Sequence, residues 1–208
     1  MKRKQAVLFS AVLVPFLICV SRRHKKPTRN VEIILRDNSG IPNKEARTIF
    51  ENGLRLVEQG DYGAARLRFS EANQVCPNNP TILNAIGGTF SQTGSPKQGN
   101  EYFERALKLD SNFINTYSNF GSSLNQMMRF EEARQIFRLG LTRPSIDSFG
   151  RSSLFLNLAN SYFLEKEYDS ASAFVDSAIT NSRHGRIYKL AIQARGQINS
   201  RSPLPAKK

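Results

Sequence analysis

Residues 81–110, TILNAIGGTFSQTGSPKQGNEYFERALKLD, and residues 115–144, NTYSNFGSSLNQMMRFEEARQIFRLGLTRP, are one pattern written twice. Laid over each other, they place Gly87 on Gly121, Phe103 on Phe137 and Ala106 on Gly140. The same columns continue outward in both directions. Small residues recur at Gly53, Gly87, Gly121 and Ala159, at Ala65, Gly99, Ala133 and Ala171, and at Ala72, Ala106, Gly140 and Ala178. Each series steps by 34, 34 and 38 residues. Three columns that share one period and one four-residue insertion mark a structural repeat.

Large apolar residues stand between the small ones. Ile49, Leu83, Tyr117 and Phe155 lie four places before the first column, Leu56, Phe90, Leu124 and Tyr162 three places after it, and Phe69, Phe103, Phe137 and Val175 fall in the second half of each unit. Spacings of i, i+4, i+7 give one apolar stripe per helix, so each unit reads as a helical hairpin. Small residues sit where two helix backbones approach, and a lone hairpin buries itself only by stacking on its neighbours. Gly60-Asp61 and Gly94-Ser95 divide the first two hairpins into halves, while Pro77 to Pro80 makes the turn between them. Phe69, Phe103, Phe137 and Tyr162 are expected in the core.

On these columns, together with Pro77, the chain resembles a tetratricopeptide repeat protein over about residues 46 to 182. The resemblance implies an all-α fold: a right-handed α-solenoid of four hairpins, at 46–79, 80–113, 114–147 and 152–183, closed by a capping helix at 184–199. Ile49 and Leu83 stand where the family has a large aromatic, Asn52 where it has an apolar residue, and Ser111 where it has proline. Gly87, Gly88 and Gly99 each cost about 1 kcal/mol against alanine inside a helix, which predicts that the second hairpin is the softest. The insertion near Arg143 to Arg151 adds about one helical turn between the third and fourth units, which either changes the local superhelix or extends the entry to the fourth.

The resemblance also implies a concave wall made by the first helices, with its facing side chains at fixed places in each unit. Here those places hold Asn84 and Gln92, then Asn115, Asn119, Ser122 and Gln126, then Asn157 and Asn160, with Ser91, Ser118 and Asn125 among them. The wall is polar and uncharged. A carboxamide carries both a donor and an acceptor, so a row of them suits the main chain of an extended peptide. In the family, the place of Asn119 and Asn157 belongs to an asparagine ladder that holds extended peptides. The family's clamp for a C-terminal carboxylate needs several Lys and Arg residues here, and only Arg47 is present. Leu156, Phe163 and Leu164 offer either an apolar anchor for a partner or packing against the C-terminal helix.

The net charge of +13 over 208 residues lies in the tails. Residues 1–30 hold eight Lys/Arg and no acid, residues 183–208 seven and no acid, and the stretch between holds fifteen bases against seventeen acids. The repeats therefore have no electrostatic reason to seek nucleic acid. Two cysteines, Cys19 and Cys76, make no disulfide framework and no metal spacing. His24 and His184 both lie near the ends, and no phosphate loop, nucleophile elbow or triad is present, so neither a cofactor nor an enzymatic activity is expected.

Met1 to Lys4 is basic, Ala6 to Ser21 almost wholly apolar, and Arg22 to Arg29 basic again. The run's roughly 24 Å as a helix falls short of a hydrocarbon core of roughly 30 Å, and Pro15 interrupts it. Residues 1–30 read as a signal peptide or membrane anchor, with lipidation of Cys19 a third route, followed by a linker at 31–43 and a repeat domain at 44–200. Residues 201–208 are expected to form a disordered basic tail. The expected function is a non-catalytic scaffold that binds a peptide or protein subunit in its groove. It is membrane-associated or exported, with the extracytoplasmic side favoured. The alternative is that the basic tails hold an anionic membrane or RNA while the repeats are structural.

Overall fold

The computed structural model describes residues 40–182 and 185–201. Among them run nine helices and no strand: α1 Lys44–Gln59, α2 Tyr62–Val75, α3 Pro80–Gln92, α4 Pro96–Leu109, α5 Ile114–Gln126, α6 Phe130–Leu141, α7 Ser148–Leu164, α8 Tyr168–Asn181 and α9 Arg186–Arg201. They pair as the hairpins α1/α2, α3/α4, α5/α6 and α7/α8, each stacked on the next, with α9 packed on α8. The fold is a right-handed α-solenoid with a capping helix. The segment Ala6–Ser21, with Cys19, and His184 and the tail Ser202–Lys208 lie outside the described residues.

One steric device sets each hairpin. A Cβ built on Gly53 would stand 2.5 Å from the Phe69 ring and one on Gly87 2.7 Å from the Phe103 ring, and Gly121 faces Phe137 in the same way. All three rings are fully buried. In the fourth hairpin the notch is Ala159 and the residue opposite is Val175. A methyl added on one side is thus matched by a smaller group on the other, as close packing requires.

Punctuation follows local chemistry. Asn43, Asp61, Asn79 and Asp147 each accept a backbone N–H at a helix start. Ser95 makes no such bond, and Pro96 opens α4 alone. First helices of the first two hairpins end at Gly60 and Gly94 in the left-handed region. The equivalent residues in the third and fourth are Met128 (φ 57°) and Lys166 (φ 66°), side chains that rarely adopt it. The four inserted residues lengthen α7 to 17 residues, against 13 in α3 and α5.

Three apolar clusters run along the solenoid. The last joins Leu156, Ala159, Ala171 and Val175 to Ile187, Ala191, Ala194 and Ile198 of α9, with Phe163 packed against it. Phe163 also meets Tyr168 edge-on at 5.6 Å. Leu156 and Phe163 therefore serve the capping side of the fold, while Leu164 is exposed. Tyr162 departs from the core expectation, because it is only half-buried. It stacks on Phe174 at 5.3 Å, with the Arg134 guanidinium 4.5 Å over its ring.

Candidate functional site

The first helices α1, α3, α5 and α7 carry the inner-wall register, one hairpin apart. Contacts link α3 with α5 and α5 with α7 directly. At Gly88, the register shared with Ser122 and Asn160, an added Cβ would meet nothing within 4 Å, so space opens in front of the second hairpin. Gln126 is exposed, Gln92, Asn115 and Asn160 are half-buried, and Asn84, Asn119, Ser122 and Asn157 are buried.

Burial separates the carboxamides into two sets. Between α3 and α5, Asn119 Nδ2 donates to Asn84 Oδ1 at 2.9 Å. Beside it, Ser91 Oγ meets Ser123 Oγ at 3.2 Å, and Ser123 Oγ lies 2.6 Å from Asn100 Oδ1. These bonds tie the second hairpin to the third. Between α5 and α7 the same places are occupied differently. Stepping back by the spacing that joins Asn119 to Asn84, with the insertion added, the residue opposite Asn157 is Ser118, whose side chain is shorter. Nδ2 of Asn157, both polar side-chain atoms of Asn125, and Oδ1 of Asn160 are closed to water and unpaired. Among the described residues no side-chain hydrogen bond joins α5 to α7.

Sequence reasoning missed the polar tie on the other side of the third and fourth hairpins. Arg134, 7% exposed, bonds Glu131 on its own helix and Glu165 beyond α7. That hydrogen bond from Arg134 holds the Glu131 carboxyl below its ordinary value, and Arg129 does the same for Glu132. Partners 31 residues apart leave no local signal. A cleft of about 310 Å³ opens between α4 and α6 over Phe120 and Leu124, away from the carboxamide row, with acids and bases mixed along its rim. Among the described residues no cluster of His, Cys, Asp and Glu could hold a metal, and no helix is long and apolar enough to cross a membrane.

Residues 80–113, the second hairpin, match the family described as Tetratricopeptide repeat. That hairpin is a tetratricopeptide repeat, and the hairpins stacked on it share its architecture. The repeats of this chain are 28% identical over 97 residues to the small glutamine-rich tetratricopeptide repeat-containing protein 2 of Mycosarcoma maydis, covering 47% of this chain and 28% of that one. They are 26% identical over 143 residues to the type IV pilus assembly protein PilF of Pseudomonas aeruginosa, covering 67% of this chain and 55% of PilF. The chain thus spans between about a quarter and about half the length of these two curated relatives. The solved PilF structure superposes with a TM-score of 0.61 at 22% identity, covering 78% of this chain and 79% of that one. YrrB, described as a TPR protein with an unusual peptide-binding site, superposes with a TM-score of 0.57 at 21% identity, over 81% and 84% of the two chains. At those identities the superpositions establish the fold.

Proposed function

We propose that this protein is a non-catalytic scaffold whose inner wall takes an extended segment of another protein, and that Ala6–Ser21 directs it to a membrane, on the exported side. The observation that carries the reading is the inner wall itself. From the second hairpin to the fourth its accessible side chains are carboxamides, with Gln92, Asn115 and Asn160 half-buried, Gln126 exposed and open space before Gly88. Such a surface recognises main chain and does not depend on charge. The similarity to the type IV pilus assembly protein PilF supports a role in building a protein assembly.

A photoreactive residue placed at Gln92 or Gln126 in intact membranes tests this. Capture of one and the same protein from both positions, unchanged between low and high salt, and none from Leu67 on the outer face of α2, is the expected result. Capture from Leu67 alone would overturn the groove. Capture that vanishes at high salt, or on removal of residues 183–208, would assign binding to the basic tails instead.

A further inference from the structure

The seams between successive hairpins repeat one arrangement where a second helix meets the next first helix, and the middle seam lacks its central piece. Arg66, Asn100 and Arg134 occupy one place on α2, α4 and α6, 34 residues apart. Phe90, Leu124 and Tyr162 occupy the facing place on the next first helix, and Thr93, Met127 and Glu165 lie three residues further on. At the first seam the Arg66 guanidinium lies 4.4 Å over the Phe90 ring and donates to Thr93 Oγ1 at 3.1 Å. At the third the Arg134 guanidinium lies 4.5 Å over the Tyr162 ring and bonds Glu165. At the middle seam Asn100 donates to Met127 Sδ at 3.6 Å and accepts from Ser123 Oγ at 2.6 Å. Its side chain is too short to cover Leu124, and the cleft of about 310 Å³ over Phe120 and Leu124 opens there. That volume is at the lower end of the range for pockets that take small ligands.

The rim of this seam also differs in charge. Glu101 and Glu104 stand where the first hairpin has Leu67 and Ser70 and the third has Gln135 and Arg138. Both are exposed and, among the described residues, neither makes a hydrogen bond or an ion pair. Across the cleft the two oxygens of Glu132 take up the Arg129 guanidinium. Of the remaining charges that line it, Lys97 is the cation, against the two acids Glu101 and Glu104. A guanidinium is planar, permanently charged and weakly hydrated, so it settles on an apolar floor while its N–H fork meets carboxylates.

We propose that this cleft is a docking site for an arginine side chain of a second partner protein, which supplies from outside the guanidinium that Arg66 and Arg134 supply from within at the flanking seams. Glu101 and Glu104 receive the N–H fork, and Phe120 and Leu124 the apolar stem. The cleft lies away from the carboxamide row, so a segment held by the inner wall does not reach it, and the site stands whether or not the groove reading does.

Nitrogen-15 NMR titration of the full chain with N-acetyl-arginine methylamide tests the site, with the lysine and citrulline counterparts as controls. Saturable shifts centred on Asn100, Leu124 and Gln135 are expected, with a dissociation constant on the order of 1 mM. Binding weakens as salt is raised. The neutral citrulline probe and the compact, strongly hydrated lysine probe each bind at least about threefold more weakly. The double variant Glu101→Gln with Glu104→Gln weakens arginine binding about fivefold and leaves the thermal midpoint unchanged, because neither carboxylate has a partner to lose. Asn100→Arg fills the cleft from within and abolishes the shifts. Equal binding of the arginine and citrulline probes, shifts centred elsewhere, no binding at all, or unchanged binding by the double variant would overturn the site. A photoreactive residue at Gln135 in intact membranes then reads the occupant. Attachment next to an arginine of a different protein, displaced by the arginine probe, is expected. Attachment to residues 1–30 or 183–208 of the same chain, or to a second copy, would overturn the assignment to a second partner protein.

Discussion

Gly87 and Gly88 are neighbours in one helix, and alanine is expected to act on them in opposite directions. Helix propensity favours alanine by about 1 kcal/mol at either position. At Gly88 nothing stands within 4 Å of the new Cβ, so the gain is kept and the variant is about 1 kcal/mol more stable. At Gly87 the methyl would lie 2.7 Å from the Phe103 ring and 2.9 Å from the Gly99 carbonyl oxygen. That ring is fully buried and has nowhere to go. Overpacking of this kind costs about 1–3 kcal/mol, which outweighs the propensity gain, so Gly87→Ala is destabilised by about 1 kcal/mol. Gly99→Ala is worse: its Cβ would stand 2.6 Å from the Gly87 oxygen, and backbone moves less readily than a ring edge. Urea unfolding followed by far-ultraviolet circular dichroism reads all three as shifts in midpoint at constant slope. Stabilisation by Gly87→Ala or Gly99→Ala would refute the notch account of how the hairpins close. Destabilisation by Gly88→Ala would refute the open inner wall.

Other perturbations follow the same logic. Met128→Gly and Lys166→Gly relieve left-handed backbone and are expected to stabilise the fold by about 1 kcal/mol each, measured by the same unfolding; Met128 is 77% exposed and gives up little packing. Arg134→Ala removes the bridge from the third hairpin to Glu165 and the cation over Tyr162, and lowers stability by about 2 kcal/mol. The depressed carboxyls of Glu131 and Glu132 contribute stability that is present above their ordinary value of 4.5 and lost as pH falls through their lower folded values. The thermal midpoint therefore drops as pH falls below about 4.5, and Glu131→Gln flattens that drop.

The architecture was legible because its determinants are local and repeated. Gly53, Gly87 and Gly121 each lie sixteen residues before the phenylalanine they receive, and three copies of one spacing carry the signal. The longer α7 was legible in the same way, as four residues that break the period. The left-handed turns at Met128 and Lys166 were not, because residue type points to glycine there, and only the geometry of the neighbouring hairpins forces these side chains into it. The carboxamide row could be placed on a helix face from its spacing. Which amides pair depends on the offset between successive first helices, which the superhelix sets, so Asn84 with Asn119 and the unpaired Asn125 and Asn157 emerge only in three dimensions. Arg134 and Glu165 escaped notice for the same reason.

Hydrogen–deuterium exchange of the full chain, with and without the captured partner, reads the inner wall directly. The account predicts new protection in the first helices α3, α5 and α7, and none in the second helices α4, α6 and α8. Protection confined to those second helices, or to α9, would contradict it.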